Sequence, residues 1–516
     1  MAQGVLPFQY QEQSTVSGLT ALAGLPTYLD LAQAAGLRDA VRRHLTVRAE
    51  SSQGWTDNQV VMALILLNLA GGDCVADIDR LEADEGLCKV MQRVEHHGLP
   101  RRERRALERR WRKERSRTFP SPSAVFRYLA AFHDPAQEAQ RQPHTAFIPV
   151  PNKHLRALGL VNRDFVAFMQ SRSPQQQATL DMDATLVGSQ KEQALWCYQQ
   201  YQAYQPFNTY WFEQALVLHS EFRDGNVPAG HQQLRLLKEA LDQLPEGVEK
   251  VFVRSDTAAY QKELLRYCAE GENECFGVLE FAIGADVTES FRRAVLEVEE
   301  DQWFPVLRTD CDGKQHATGQ QWAEVCFVPN WAGHSKNGPT YRFVATRELM
   351  RRQLALPGHE ETVEEKDSVE TSGGERYKIR GIVTNRTIEG NELIGWYRQR
   401  CGKSEEVHSV MKEDLAGGQL PSGDFGENAA WWAIMILALN LNAAMKRLVL
   451  PQGWANRRLK AMRFGLINLA AVVRERSRQL QILLSPKQPV YDLLLMARKR
   501  IEQLARGAPP AVAKPT

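Results

Sequence analysis

The sequence lacks the cysteine spacing of a metal or disulfide scaffold. Its eight cysteines, at 74, 88, 197, 268, 275, 311, 326 and 401, form no Cys-x-x-Cys pair and no Cys/His cluster of zinc spacing. A reduced, intracellular protein is expected. Net charge is nearly absent, with 64 Lys and Arg against 62 Asp and Glu, so total charge does not attract a polyanion. The N-terminal "MAQGVLPFQYQEQS" has neither a basic n-region nor an apolar h-region, which argues against a signal peptide. The most apolar run, "AAWWAIMILALNLNAAM" (429–445), is short for a membrane span and holds Asn440 and Asn442. A buried helix is expected there, and no membrane partner. There is no internal repeat.

The 516 residues, 43% hydrophobic and 24% charged, form an ordinary globular composition. Residues 17–100 read as helical, with Thr56 as N-cap of "DNQVVMALILLNLA" and Gly71 at its end. "DCVADIDRLEADEGL" reads as a second helix, and Ser121 or Ser123 as the cap of a third. The stretch 134–175 reads as a linker with some helix. From 176 the pattern changes to strands alternating with helices, which indicates an α/β sheet. Strands are expected at 177–188, 208–220, 250–256, 274–283 and 377–385. The stretch 284–375 interrupts that rhythm with β-like pieces and an acidic loop at 358–375. A long helical region follows from 390 to 448, and the tail from 507 reads as disordered.

Three stretches carry carboxylates. In "TLDMDATLVGS" (179–189) strand alternation sends Asp181 and Asp183 to the same face. "KVFVRSD" (250–256) ends in Asp256 at the carboxyl end of a strand, where sites form in open α/β sheets. Asp256 or Thr257 could equally cap the following helix. In "WYRQRCGKSEEVHSVMKEDLAGG" (396–418) Gly402 is expected to break the helix and Ser404 to cap the next one. Glu405, His408 and Lys412 then share one stripe. Hard divalent cations need few protein carboxylates, and two such ions can clamp an in-line phosphoryl displacement. A metal would offset the desolvation of an acidic pair on a buried strand.

With these stretches in order, the chain resembles a bacterial insertion-sequence transposase of the DDE class, in the branch with a Tyr-Arg-Glu-Lys signature. "LDMDAT" resembles the first-Asp strand, "FRDGN" the turn after the third strand, and "VRSD" the second-Asp strand. Tyr397, Arg400, Glu405 and Lys412 resemble the signature, and "LAGGDCVADIDRLEADEGL" extends the likeness toward the N-terminus. The resemblance implies Asp183, Asp256 and Glu405 as catalytic and metal-binding residues, with two Mg²⁺ ions that Mn²⁺ can replace. Asp181 remains the alternative to Asp183, and Glu406 to Glu405. Four residues rather than three separate Arg400 from Glu405, and the usual spacing would fall on Ser404. The extra residue is expected to be absorbed in a turn at Gly402.

The resemblance further implies a ribonuclease-H-like mixed-sheet catalytic core (176–283 and 376–448) with a β-rich insertion (284–375). An α-helical N-terminal DNA-binding region (1–175) and a basic, helical C-terminal region (449–506) flank it. Trp303, Trp322 and Trp331 are candidates to hold a flipped base. The activity implied is metal-dependent cleavage and strand transfer of insertion-sequence ends, with cut-and-paste transposition expected. Alternatives are a nuclease or resolvase on the same core and an inactive DNA-binding regulator. Partners would be double-stranded DNA, as terminal inverted repeats and target, and a second copy in a dimer on DNA. The location would be the bacterial cytoplasm, at the nucleoid.

Two basic zones support DNA contact. The run 101–117 has ten Arg or Lys against three Glu, and Arg104, Arg105, Arg109 and Arg112 are candidate phosphate ligands. The stretch 446–478 has nine Arg or Lys against one Glu. Tyr397, Arg400 and Lys412 would bind terminal phosphates. Arg254, two residues before Asp256, would approach a phosphate or pair with an acid of the triad.

Overall fold

The computed structural model describes residues 17–48, 54–97, 100–102, 104–105, 117–142, 145–310, 312–329, 331, 341–350, 367–477, 479–486 and 489–507. Its sixteen strands are β1 (Leu19–Thr20), β2 (Gln177–Ala184), β3 (Val187–Gly188), β4 (Leu195–Trp196), β5 (Gln202–Tyr204), β6 (Phe207–Trp211), β7 (Leu216–Glu221) and β8 (Lys250–Ser255), then β9 (Glu280–Ala285), β10 (Phe304–Thr309), β11 (Gln315–Val325), β12 (Arg342–Leu349), β13 (Ser368–Glu370), β14 (Arg376–Thr384), β15 (Ala471–Arg476) and β16 (Gln479–Leu484). One large mixed sheet runs β7-β6-β2-β8-β9-β14-β12-β11-β10, with β13 beside β14. Strands β2, β8 and β9 are parallel, and the remaining neighbours are antiparallel. The β-rich stretch after β9 therefore continues the same sheet through β14. Part of the expected acidic loop is ordered as β13.

Several elements differ from their sequence expectation. The 208–220 strand is a hairpin, β6 and β7, turning at Phe212–Ala215 with Ala215 at φ 56°. Glu213 and Gln214 stand at this turn, and the fold uses both: Glu213 accepts from Thr179, and buried Gln214 donates to Gln170 and to the Ser173 carbonyl. The 274–283 strand is shifted to Glu280–Ala285. The "DCVADIDRLEADEGL" helix is divided at Asp84, whose carboxylate caps Glu85–Glu95 by accepting from the Leu87 amide at 2.7 Å. The expected linker contains Lys153–Arg172, capped by Asn152 and packed through Val161, Phe165 and Met169. Helix Asp57–Ala70 carries the Thr56–Gln59 capping box and ends at left-handed Gly71, as its sequence implies. Ser121 caps Pro122–Leu129.

The apolar run forms helix Phe425–Ala444, and it lies in the core with Trp431 and Trp432 about 1% exposed. Its asparagines have partners. Asn440 accepts from the Val217 amide at 2.9 Å and donates to the Val217 carbonyl and to Asn162. With Asn162, which donates to the Val217 and Leu218 carbonyls, it pairs the open edge of β7. Asn442 accepts the Tyr28 hydroxyl at 2.9 Å. Of the expected disordered tail from 507, residues 508–516 lie outside the described residues.

Candidate active site

The parallel pairing of β2 and β8 sets the site. Asp181 is opposite Arg254 and Met182 opposite Ser255, so the next residues, Asp183 and Asp256, emerge together at the carboxyl ends of adjacent strands. Asp181 and Asp183 share a face but not an environment. Asp181 has no exposed side-chain surface and accepts two hydrogen bonds from Arg254, at 2.6 and 2.9 Å. Arg254 is itself fully buried, donates to the Trp396 carbonyl at 2.6 Å, and lies over the Phe212 and Trp396 rings. This corrects the expectation of a phosphate ligand: Arg254 has no surface to offer one, and its fork is spent on Asp181.

Asp183 is only partly buried and has no such partner. Arg400 Nη1 lies 3.6 Å from its Oδ2 and His408 Nδ1 lies 4.0 Å away. Both are beyond hydrogen-bond range. Burial pushes the Asp183 carboxyl up to about 6; Arg400 opposes this and Asp256 adds to it. Burial, with Lys412 and Arg400 nearby, holds His408 down to about 4, so it faces Asp183 as a neutral ring at neutral pH. Asn208 Nδ2 lies 3.4 Å from His408 Nε2, and Ser220 donates to Asn208 Oδ1 at 2.8 Å. Asn208 is opposite Asp183 in the β2–β6 ladder. Sequence reasoning gave neither Asn208 nor His408 a role. The available signal was a polar residue inside the apolar strand "FNTYW".

Asp256 closes β8 and caps the short turn Thr257–Ala259, its Oδ1 accepting from the Ala258 amide at 3.0 Å. Capping uses one oxygen and leaves the other available. Tyr397 donates its hydroxyl to the Ser255 carbonyl at 3.2 Å, directly before Asp256.

The helix crossing this sheet is continuous over Gly390–Ser409, with Glu389 as its N-cap. Gly402 does not break it and Ser404 does not cap it, which overturns that expectation. A glycine inside a helix costs about 1 kcal/mol, and packing outweighs this: Leu393 and Ile394 lock into a core with Trp322, Val344 and Ile382. With no turn to absorb the extra residue, Ser404 takes the buried face between Arg400 and His408. Glu405 sits about 100° further round, exposed, with no hydrogen bond or ion pair among the described residues. On its flank, Lys412 Nζ donates to the Leu186 carbonyl at 3.3 Å, just past the end of β2. Lys412 belongs to a widened turn, Val410–Asp414. Glu406, about 100° further round again, pairs with Lys403 at 3.0 Å and lines a cavity of about 600 Å³ with Tyr210 and Lys446.

The geometry thus brings together Asp183, Asp256, Tyr397 and Arg400. Among the described residues no three His, Cys, Asp or Glu side chains gather closely enough to hold a metal ion. The Asp183–Asp256 pair nonetheless fits a hard cation. Two neighbouring carboxylates share one distant arginine, and the buried Arg400 Nε has no partner. Such a cation keeps waters in its remaining positions.

The other candidates lie apart. Trp303 and Trp322 are core residues, 6% and 7% exposed, and Trp331 packs on Tyr341 at 5.4 Å. Arg104 and Arg105 are described in a short helical stretch, and Arg109 and Arg112 lie outside the described residues. In the second basic zone, Arg447 donates to the Glu213 carbonyl, Arg458 pairs with Asp414, and Arg463 holds the Leu69 and Asn68 carbonyls. Much of that positive charge ties the core together. In "FRDGN", Asp224 pairs with Arg141 and Arg223 with Glu221, so this turn is a buried ionic brace.

No curated protein matches the chain in sequence. The solved structure of a piggyBac transposase synaptic complex with hairpin DNA is similar at 11% identity and a TM-score of 0.41, over 97% of this chain and 89% of that one. The family described as transposase DDE domain group 1 matches residues 13–506. That match spans nearly the whole sequence, and the chain therefore belongs to the DDE transposase family.

Proposed function

We propose that this protein is a DNA transposase that cleaves the ends of a bacterial insertion sequence and transfers them to a target, by cut-and-paste. The observation that carries the reading is the pair Asp183 and Asp256 at the carboxyl ends of parallel β2 and β8, faced by Arg400. The strand order β7-β6-β2-β8-β9, with only β6 reversed among the three central strands, supports a ribonuclease-H-like core.

Asp183 and Asp256 are the residues that would hold Mg²⁺, or Mn²⁺ in its place, and Glu405, exposed on the crossing helix and not gathered with them, would have to turn in to complete a two-ion site. Bound there, the metal would neutralise charge on the phosphoryl group and lower the pKa of an attacking water. Arg400, whose Nη1 faces Asp183 at 3.6 Å, would take a phosphate oxygen of the scissile strand. Tyr397 holds the end of β8 in place through Ser255. Lys412 would reach the neighbouring phosphate by exchanging its carbonyl contact for the DNA strand. Water would cleave the phosphodiester at the element end, and the freed 3′-hydroxyl would attack the target strand. Because two ends must be joined, a dimer on DNA in the bacterial cytoplasm is the working assembly.

Incubation of the full chain with Mg²⁺, DNA bearing the inverted repeats that flank its gene, and a target plasmid tests the reading. The expected product is a covalent joint between the element 3′ end and the plasmid. Cleavage without joining would make the protein a nuclease or resolvase instead. Binding without cleavage would make it a regulator.

A further inference from the structure

The exposed aromatic residues closest in sequence to Asp183 lie outside the β-rich stretch. Only Ala184, Thr185 and Leu186 separate Asp183 from β3, the first strand of a small sheet ordered β3-β5-β4. The chain returns from β5 through Pro206 into β6, which carries Asn208 opposite Asp183. Backbone bonds from Thr185 to Pro206 at 2.9 Å and from Ser189 to Gln202 at 3.0 Å continue the β2–β6 ladder into this sheet. Its base is firmly seated. Tyr204 is buried against Phe222 at 5.1 Å, and the Gly225 amide donates to the Ala203 carbonyl at 2.9 Å. Gly225 is held to glycine because a Cβ there would collide with the Ala203 and Leu195 carbonyls.

On this rigid base, Trp196, Tyr198 and Tyr201 stand out, 63%, 71% and 38% exposed. A seated sheet does not expose three large rings through loose packing. The surrounding composition limits what covers them. Residues 187–205 hold one lysine, one glutamate and six glutamines. A phosphate-tracking surface would carry an excess of Lys or Arg. Aromatic faces among side-chain amides suit nucleobases, which stack on rings and hydrogen-bond along their edges. Duplex DNA hides those faces, so the base must be unpaired. Lys412, bonded to the Leu186 carbonyl, supplies a cation at the root of this sheet.

We propose that the β3-β5-β4 sheet is a stacking platform for unpaired nucleobases of the DNA strand led to the Asp183–Asp256 pair. This rests on the transposase reading. The test uses the full chain in chelator, so that no cleavage occurs. Fluorescence anisotropy reads binding of a labelled oligothymidylate and of a mixed-sequence duplex of the same length. Trp196→Ala and Tyr198→Ala should each weaken oligothymidylate binding about tenfold. Duplex binding and the salt slope should stay unchanged, because no phosphate contact is lost. Trp196→Phe and Tyr198→Phe should retain most of the affinity. Unchanged oligothymidylate binding in the alanine variants would overturn the proposal, as would an equal loss on both DNAs. A shift from dimer to monomer accompanying the loss would also overturn it and identify the aromatics as a contact between copies. Failure of the wild-type chain to bind either DNA would instead overturn the transposase reading itself.

Discussion

Asp183→Asn should stabilise the metal-free protein above neutral pH while abolishing its activity. The carboxyl is raised from 3.8 to about 6, first by burial, and Asp256 adds to the shift while Arg400 opposes it. Between those two values the native state binds more protons than the unfolded chain, so stability falls as pH rises through the window. A shift of about two units corresponds to about 3 kcal/mol at 1.36 kcal/mol per unit. Asparagine removes that penalty but leaves Arg400 without its nearest countercharge. The net gain should be about 1–3 kcal/mol near pH 8 and should fall below about 1 kcal/mol near pH 4, where the native carboxyl is protonated and the unfolded one is about half ionised. Urea denaturation of both proteins in chelator, across that range, reads the difference as a shift in midpoint. A destabilised Asp183→Asn near pH 8, or a gain that persists unchanged near pH 4, would refute the reasoning. Either result would mean that Asp183 is a satisfied structural carboxylate like Asp181.

Two further outcomes follow from the same contacts. Arg254→Met removes both hydrogen bonds to the fully buried Asp181 and should cost about 3–5 kcal/mol in urea denaturation, the loss expected when one partner of a buried ion pair is deleted; a cost below 1 kcal/mol would show that water reaches Asp181. Asn440→Ala leaves the Val217 amide at the β7 edge without its side-chain partner, while the Val217 carbonyl keeps Asn162 as donor, and should cost about 1–3 kcal/mol, with faster amide exchange along β7. Unaltered exchange there would mean that the edge is covered by something else.

Legibility in the sequence depended on whether a residue's role is local. The Thr56 cap and the Gly71 stop were readable because their partners lie within one turn. The acidic pair on β2 was readable as a pair, but alternation could not divide it. The division comes from β8, which supplies Arg254 to Asp181 and Asp256 beside Asp183. Gly402 and Ser404 misled for the complementary reason. Both are sound local signals for a helix boundary, and the packing of Leu393, Ile394, Arg400 and His408 carries the helix straight through them. The β6–β7 turn was hard to see because Glu213 and Gln214 are its only polar residues and no Gly, Pro, Asn or Asp stands in it. The asparagines in the apolar helix read as arguments against a membrane span, and only the fold reveals that they close a sheet edge and hold Tyr28. The second basic zone read as a DNA surface because sequence counts charges without their partners, and Asp414 and several backbone carbonyls claim them.

The most direct test of the account is single-turnover cleavage of element-end DNA with Mg²⁺ by Asp183→Ala, Asp256→Ala, Glu405→Gln and Glu406→Gln, with DNA binding measured alongside. Glu405 and Glu406 leave one unbroken helix about 100° apart, so the two substitutions separate an exposed glutamate from the one facing Tyr210 and Lys446. The account predicts that the first three variants bind DNA and do not cleave it, and that Glu406→Gln cleaves like the wild type. Loss of cleavage in Glu406→Gln with retention in Glu405→Gln would reassign the third carboxylate, and wild-type cleavage by Asp183→Ala or Asp256→Ala would contradict the central claim.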